Sequence, residues 1–531
     1  MNARPALDGQ RFDVLVIGGG INGVAIAREC ARAGRRTLLV EQHDFAAGTT
    51  SRSTRIIHGG LRYLEHGDVG QVRESLSERQ RLLHNYPHLV RPLEFLLTLD
   101  ENSPRSALAI RAGLWLYRQM GGRLESSRNG HGRAQLERLL DAGRQFSVFS
   151  FQDAQCEFPE RLVAEWLVEA MEAGCVARNH TQVLTVKIQN GRADGTVLHN
   201  QLTGQDECVG AEVIINATGP WADSICRSSG IQTAKPMVGG VRGSHLVLPE
   251  FPGAPQSAVY TEAVDGRPIF VVPWNKQILV GTTEVRDEGD PAQAQPSDAE
   301  IDYLVNSLLH LFPNAGIART DLRCAFTGVR PLPYSPPTEP CSISRRHHFY
   351  DHASEGAAGM ISVIGGKLTT AGRLAQDCVE QLGLSPKKLA VTNMVAEPEV
   401  HTLLNRCTVA VAGAGGISHE TARGIVEWFG KRSMNIARRT AKDEKMRELL
   451  CPHTNHVVAE VVEAFENECA MTLADALLRR VPVGLGACWT SECSRRAAAS
   501  VGSAMGWDER RMSAELEAFE REQAGFLRRI H

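Results

Sequence analysis

The sequence predicts an α/β fold built on a parallel dinucleotide-binding sheet, with an antiparallel sheet inserted into it and a helical C-terminal part. Phe12 to Glu41 reads as strand, glycine turn, helix and strand, and short apolar strands recur at Val213 to Ile215 and Ile361 to Ile364. Between these, branched apolar runs alternate with turn residues, and beyond Gly416 the spacing is helical. The 531 residues fit roughly three units at ~150 residues per domain.

The first unit is the most strongly specified. Asp13-Val14-Leu15-Val16-Ile17 is an apolar run of the kind buried on both faces of a parallel sheet. It breaks at Gly18-Gly19-Gly20-Ile21-Asn22-Gly23, after which Val24, Ile26, Ala27, Cys30 and Ala31 recur at helical spacing as far as Gly34. Thr37 to Val40 is the second strand and leads to Glu41. Gly18, Gly20 and Gly23 make G-x-G-x-x-G, with Glu41 placed 21 residues after Gly20. Glycine here permits a tight turn, approach of backbone N–H groups to a pyrophosphate, and close helix–strand packing, while Glu41 can accept from a ribose diol. The triplet alone is weak evidence, but strand, triplet, helix, strand and acid in register predict dinucleotide binding.

Two later segments read as returns to the same sheet. Val213-Ile214-Ile215 stops at Asn216-Ala217-Thr218-Gly219-Pro220-Trp221, whose small residues allow close contact with a cofactor. Ile361 to Ile364 breaks at Gly365-Gly366 and continues into Lys367-Leu368-Thr369-Thr370 and a helical run, whose N-terminal dipole faces whatever lies ahead of it. Gly243 to Pro249, Arg267 to Pro273 and Gln277 to Thr282 read as strands of the inserted sheet, with Trp274-Asn275-Lys276 as a hairpin turn. Val391 to Gly416, mixed and then rich in Gly and Ala, reads as a linker and domain change. After it come a capping-box start at Thr472 with Asp475, and a final helix starting at Asp508.

Composition narrows the function. With 58 Lys+Arg against 61 Asp+Glu the net charge is −3, which excludes a protein devoted to wrapping nucleic acid but leaves room for a local basic pocket. The 13 Cys are scattered without a CxxC spacing, which reads as reduced thiols in a cytoplasmic chain with no metal site. The N-terminal residues lack the pattern of a signal peptide or spanning helix. Leu108, Ile110, Leu114, Trp115, Leu116, Tyr117 and Met120 are interleaved with Arg111 and Arg118. That pattern suits an interfacial helix on anionic lipid and equally a buried helix whose arginines snorkel or pair.

Candidate chemistry follows the first unit. Thr49-Thr50-Ser51-Arg52-Ser53-Thr54-Arg55 is hydroxyl-rich and basic, at a distance from the first unit that lets it run along a bound pyrophosphate. In His58-Gly59-Gly60-Leu61-Arg62-Tyr63-Leu64, a helix starting at His58 would put a potential base and an anion clamp, His58 and Arg62, on one face.

Seven segments in order, IGGGINGVAIA (17–27), IHGGLRYLEHG (57–67), INATGPW (215–221), RGSHLVLP (242–249), VGTTEV (280–285), FTGVRPL (326–332) and VIGGKLTT (363–370), resemble the FAD-dependent glycerol-3-phosphate dehydrogenases. The resemblance covers about the first 390 residues, and more loosely the helical C-terminal part. It implies a discontinuous FAD-binding domain of the glutathione-reductase and D-amino-acid-oxidase type. Residues 1–390 would form the oxidoreductase unit, with FAD-binding segments at about 1–95, 155–235 and 325–390 and a substrate-binding cap at about 236–324; residues 400–531 would form a helical domain. The implied reaction is oxidation of sn-glycerol 3-phosphate to dihydroxyacetone phosphate, by hydride loss from C2 and removal of the hydroxyl proton by a base.

The resemblance also assigns candidates. Arg62 and Arg330 match anion-binding arginines, with Arg345 a weaker third; Lys367 matches a lysine near flavin and substrate; Tyr63 lines the pocket; and His58 and His245 both match active-site histidines, either of which can be the base. FAD contacts are expected from Gly18, Gly20, Asn22, Gly23, Glu41, Thr50, Ser51, Ser53, Gly59, Gly60, Leu61, Thr218, Gly219, Gly366, Lys367, Leu368 and Thr369. One departure stands out: after GGKLTT the family continues with Tyr-Arg, whereas this chain has Ala371-Gly372 before Arg373. The resemblance implies a quinone as electron acceptor, peripheral contact with the cytoplasmic face of the inner membrane, and a homodimer as one assembly. An oxidase using oxygen and a non-catalytic FAD-binding scaffold remain as alternatives.

Overall fold

The apolar run ahead of the glycine turn forms the strand Arg11–Ile17, central in a parallel sheet. The structure is a computed structural model that describes residues 5–65, 67–103, 105–121, 131–336, 338–384 and 397–530. Arg11–Ile17 pairs in parallel with Thr37–Val40 on one side and with Gln205–Asn216 on the other; Val176–Arg178 and Met360–Ile364 extend the two edges. Val14, Val16, Leu39 and Ile215 face the helices Ile21–Arg32, Pro159–Glu172 and Ala371–Gln381. The alternate residues Leu15, Ile17, Leu38, Val40 and Ile214 face an antiparallel layer of Thr181–Gln189, Arg192–Asn200 and the start of Gln205–Asn216. Burial on both faces is why the strand reads as an unbroken apolar run.

The chain moves outward from Arg11–Ile17 through Thr37–Val40 to Val176–Arg178, then returns on the opposite side. Strand order therefore reverses between Arg11–Ile17 and Gln205–Asn216. A crevice opens at such a switch point, outside the carboxyl ends of the strands.

The second sheet has ten strands. Val238–Pro249 pairs with Cys324–Pro333 on one side and Gln277–Gly281 on the other, followed by Pro268–Trp274 and Ala258–Glu262. The expected hairpin pairs Trp274 with Gln277, and Asn275 and Lys276 both take positive φ, 50° and 56°, as a two-residue turn requires. The sheet also recruits Val90–Asp100, Phe146–Cys156 and Ile56–Ile57. These partners lie far away in sequence, so local alternation does not reveal them.

The helix Ala107–Gly121 buries Ile110, Leu114 and Tyr117 but leaves Leu108 74% and Trp115 64% exposed, beside exposed Arg111 and Arg118. No helix among the described residues is long and apolar enough to cross a membrane.

The expected linker at Val391 to Gly416 needs correction. Residues 385–396 lie outside the described residues, and from there Glu397–Gly415 is a helix. At its end Gly415 is a contact residue: a Cβ there would lie 3.3 Å from Ala437 Cα, and Thr440 Oγ1 donates to the Gly415 carbonyl. Thr472 caps the short helix Leu473–Asp475 in a capping box, and Asp508 caps Glu509–Phe526. The helical part docks on the parallel-sheet domain through buried Arg161, which donates to both carboxylate oxygens of Glu468, at 2.7 and 3.2 Å.

Candidate active site

One cavity of about 1690 Å3 runs from the glycine turn to the inner face of the second sheet. It is larger than a typical single small-molecule pocket, with room for a dinucleotide and a substrate together. At the turn, Gly18 has φ of 105°, and a Cβ there would stand 2.6 Å from the Ala217 carbonyl oxygen on the neighbouring strand's exit. A Cβ on Gly23 would lie 1.8 Å from the Gly18 carbonyl oxygen, so this glycine serves helix–strand packing and does not line the cavity. Glu41 accepts from the Gly19 and His43 backbone N–H groups, at 2.6 and 2.9 Å, which fixes its carboxylate at the cavity wall. Thr50 Oγ1 accepts from the Ile21 N–H. Asn22 Nδ2 approaches the Gly365 carbonyl at 3.5 Å, while its buried Oδ1 has no partner among the described residues and adjoins the cavity. Glycines with no room for a side chain, a fixed carboxylate and an orphaned amide oxygen fit an FAD molecule laid across the strand ends.

The other end of the cavity is cationic. Arg330, on Cys324–Pro333, lies across Gly243, where a Cβ would stand 2.4 Å from Nη2. Its Nη2 donates to Thr282 Oγ1 at 3.0 Å; burial, and then the charge of Arg345, bring its pKa down to about 10, so it stays charged at neutral pH. Arg345 Nη2 donates to Glu284 Oε1 at 2.5 Å. Lys367 Nζ donates to Ser75 Oγ at 3.0 Å and sits 4.3 Å from the centre of the Tyr63 ring. Burial above all brings its pKa down to about 7.

Both histidines are held neutral. Burial, then the positive charges of Lys367, Arg345 and Arg79, bring His58 down to about 3. Burial, then Arg330 and Arg55, does the same to His245. His245 Nε2 is 2.9 Å from Thr54 Oγ1, its Nδ1 is buried without a partner among the described residues, and its ring stacks on Phe326 with centroids 5.0 Å apart. A neutral imidazole keeps a nitrogen lone pair that can face a substrate hydroxyl proton, while burial and the surrounding positive charge oppose its protonation in the protein without substrate.

Most of the sequence candidates come together here. His58, Tyr63, His245, Arg330, Arg345 and Lys367 line the cavity, as do Gly18, Gly20, Asn22, Glu41, Thr50, Ser53, Gly60, Leu61, Thr218, Gly219, Gly366, Leu368 and Thr369. Ser51 and Gly59 do not: the Ser51 hydroxyl donates to the Gly48 carbonyl, and Gly59 packs on Leu76 and Tyr117. The Arg62 side chain lies outside the described residues. His58 and Arg62 do not share a helix, because the helix Arg62–Glu65 starts only after Gly60, at φ of 76°, while the Gly59 N–H donates to Tyr117 Oη and Asp153 Oδ1. Ala371 and Gly372 start the helix Ala371–Gln381 and do not line the cavity. A Cβ on Gly372 would lie 2.8 Å from Glu78 Oε2, so at the departure the helix start lies close against Glu78.

Sequence reading missed Ser75, Thr282 and Glu284, and placed Thr54 in the run along the pyrophosphate without its contact to His245. Thr282 and Glu284 sit within VGTTEV, a segment that carried the resemblance, so the signal was present for them. Ser75, on the helix Val69–Asn85, carried none.

Residues 13–372 match the family of FAD dependent oxidoreductases, and residues 360–512 match the C-terminal domain of alpha-glycerophosphate oxidase. The chain is 36% identical over 502 residues to a glycerol-3-phosphate dehydrogenase of Synechocystis, covering 91% of this chain and 90% of that protein. It is 35% identical over 382 residues to a D-erythritol 1-phosphate dehydrogenase of Brucella abortus, covering 70% and 73%. Its fold is that of the Bacillus halodurans glycerol-3-phosphate dehydrogenase solved with FAD, at TM-score 0.77 and 22% identity, with 98% of this chain and 96% of that one covered. A glycine cradle for FAD, a cationic chamber with neutral histidines and matches over nearly the whole chain lead to one conclusion: the protein belongs to the FAD-dependent glycerol-3-phosphate dehydrogenase family.

Proposed function

We propose that this enzyme oxidises sn-glycerol 3-phosphate to dihydroxyacetone phosphate and that its electrons pass to a quinone. The observation that carries the reading is the chamber where Arg330, Lys367 and the Glu284-bound Arg345 share a wall with two neutral histidines and the FAD cradle. Guanidinium and ammonium groups make charge-assisted hydrogen bonds to a phosphate. Arg330, charged and hydrogen-bonded among the described residues only to neutral oxygens of Thr282 and Thr283, can offer donors to it. Arg62 shares this phosphate role in our reading. His58 or His245 removes the C2 hydroxyl proton, while bound FAD supplies the acceptor for the C2 hydride. Tyr63 walls the chamber and holds Lys367 by its ring face.

Anaerobic titration of the FAD-loaded protein with glycerol 3-phosphate tests this. Bleaching of the flavin band near ~450 nm is expected. A band unchanged in excess substrate supports the non-catalytic scaffold instead. An oxidase reading is favoured by the C-terminal match, whose family is named for an oxidase. Stoichiometric peroxide in air without an added quinone decides for it. For the membrane contact, we propose the exposed face of Ala107–Gly121, where Leu108 and Trp115 lie beside Arg111 and Arg118.

A further inference from the structure

Asp44 stands three residues beyond Glu41, on the cofactor side of the molecule, with a fully buried carboxylate. Four donors converge on it. Arg480 grips it with both Nη atoms, at 2.6 and 2.8 Å; Arg479 Nε donates to Oδ2; and Asn179 Nδ2 donates to Oδ1 at 2.8 Å. Both arginines belong to the single turn Ala476–Arg480, in the C-terminal helical part. Arg479 is shared with Asp475 and Glu522, and Asp475 in turn holds His180 Nε2 at 2.9 Å. Burial opposes the Asp44 charge, yet the two arginines hold the carboxyl below its usual range.

None of Asp44, Asp475, Arg479 and Arg480 lines the cavity, but a short chain of contacts reaches it. Phe45 lies against Gly19, where a Cβ would stand 2.4 Å from its Cδ1, and the Ala46 N–H donates to the Gly19 carbonyl at 2.9 Å. The Gly19 N–H donates to Glu41 Oε2 at 2.6 Å. The loop from Glu41 to Ala46 is thus braced at both ends by the glycine turn and at its middle by two arginines of the C-terminal helical part.

We propose that the C-terminal domain sets the grip on FAD through Asp44, the arginine pair fixing the loop that carries Glu41 and buttresses the glycine turn. Asp44 and Arg480 are positioning residues, since they act on the cofactor through Glu41, Phe45 and Gly19. A loop ordered before the ligand arrives spares that ordering cost at binding, so loosening it weakens affinity without removing a contact. The inference rests on FAD binding in this cavity. Wild-type protein that takes up no FAD overturns that reading and the coupling with it, whereas wild-type binding with an unaffected variant overturns the coupling alone.

Removing Asp44 alone leaves Arg480 buried without its carboxylate and risks unfolding. The test therefore uses the double variant Asp44→Asn/Arg480→Leu, which removes both charges. At a temperature where its far-UV circular dichroism is native, FAD affinity measured by flavin fluorescence should fall at least about tenfold. Affinity within twofold of wild type, with or without a lowered unfolding midpoint, makes the network purely structural and overturns the proposal. A wild-type measurement is independent of how the variant folds. Because coupling is reciprocal, FAD should slow amide hydrogen exchange in residues 476–485, none of which touches the cavity. Exchange there that is the same with and without FAD also overturns it.

Discussion

Lys367 holds its ammonium 4.3 Å from the centre of the Tyr63 ring, so a cation and an aromatic face that are distant in sequence form one wall of the reaction chamber. With its pKa brought down to about 7, Lys367 is charged below that pH and neutral above it. A phosphate monoester gains its second charge above ~6. KM for glycerol 3-phosphate should therefore be lowest between these two values and rise as pH climbs through 7. In a Lys367→Met variant the alkaline rise should vanish, which initial-rate measurements from pH 6 to 9 will show.

Arg330 makes no ion pair among the described contacts and reaches the chamber by crossing Gly243. Arg330→Ala should raise KM about 10- to 100-fold, as expected for a lost charge-assisted hydrogen bond, with flavin content unchanged. Flavin lost during purification of this variant would instead make Arg330 a structural residue.

The Glu284 carboxylate occupies one edge of the Arg345 guanidinium. Glu284→Gln keeps the shape and removes the charge that competes with a phosphate for this arginine. Inorganic phosphate should inhibit the variant more strongly than the parent, in a competitive assay. Equal inhibition constants would show that Arg345 does not reach the anion.

In the proposed reaction one of His58 and His245 is the base. Replacement of the base by Asn should lower kcat by about 100- to 10,000-fold, and replacement of the other should cost much less. Both are held near 3, far below the ~6.5 of an unfolded histidine, and so is His88. Between these values the unfolded chain binds protons that the native state does not, so stability falls as pH drops from 6.5 toward 3. The unfolding midpoint should decline across that window, and less steeply in His245→Asn.

Trp115 reports on the proposed membrane face. Its emission should shift to the blue with vesicles containing anionic lipid and stay unchanged with neutral ones. Arg111→Glu with Arg118→Glu should abolish the shift, and a shift that survives the pair would point away from this face.

The sequence alone determined the parallel sheet and its cradle, because their signals are local: an apolar run buried on both faces, glycines where no Cβ fits, and an acid at the end of the next strand. Trp274-Asn275-Lys276 likewise marked the hairpin between two apolar runs, and there Asn275 and Lys276 take positive φ. Tertiary structure alone decided what pairs across the chain. Val90–Asp100 enters the second sheet only because Ala258–Glu262 and Phe146–Cys156 flank it. Gly59 and Gly60 keep His58 off the helix that carries Arg62. Arg345 turned out to share its charge with Glu284, and Asp44, inconspicuous beside Glu41, proved to be where the C-terminal arginines take hold. Short-range periodicity records which faces are buried, but ion pairs between remote segments follow from where the folded chain sets them down.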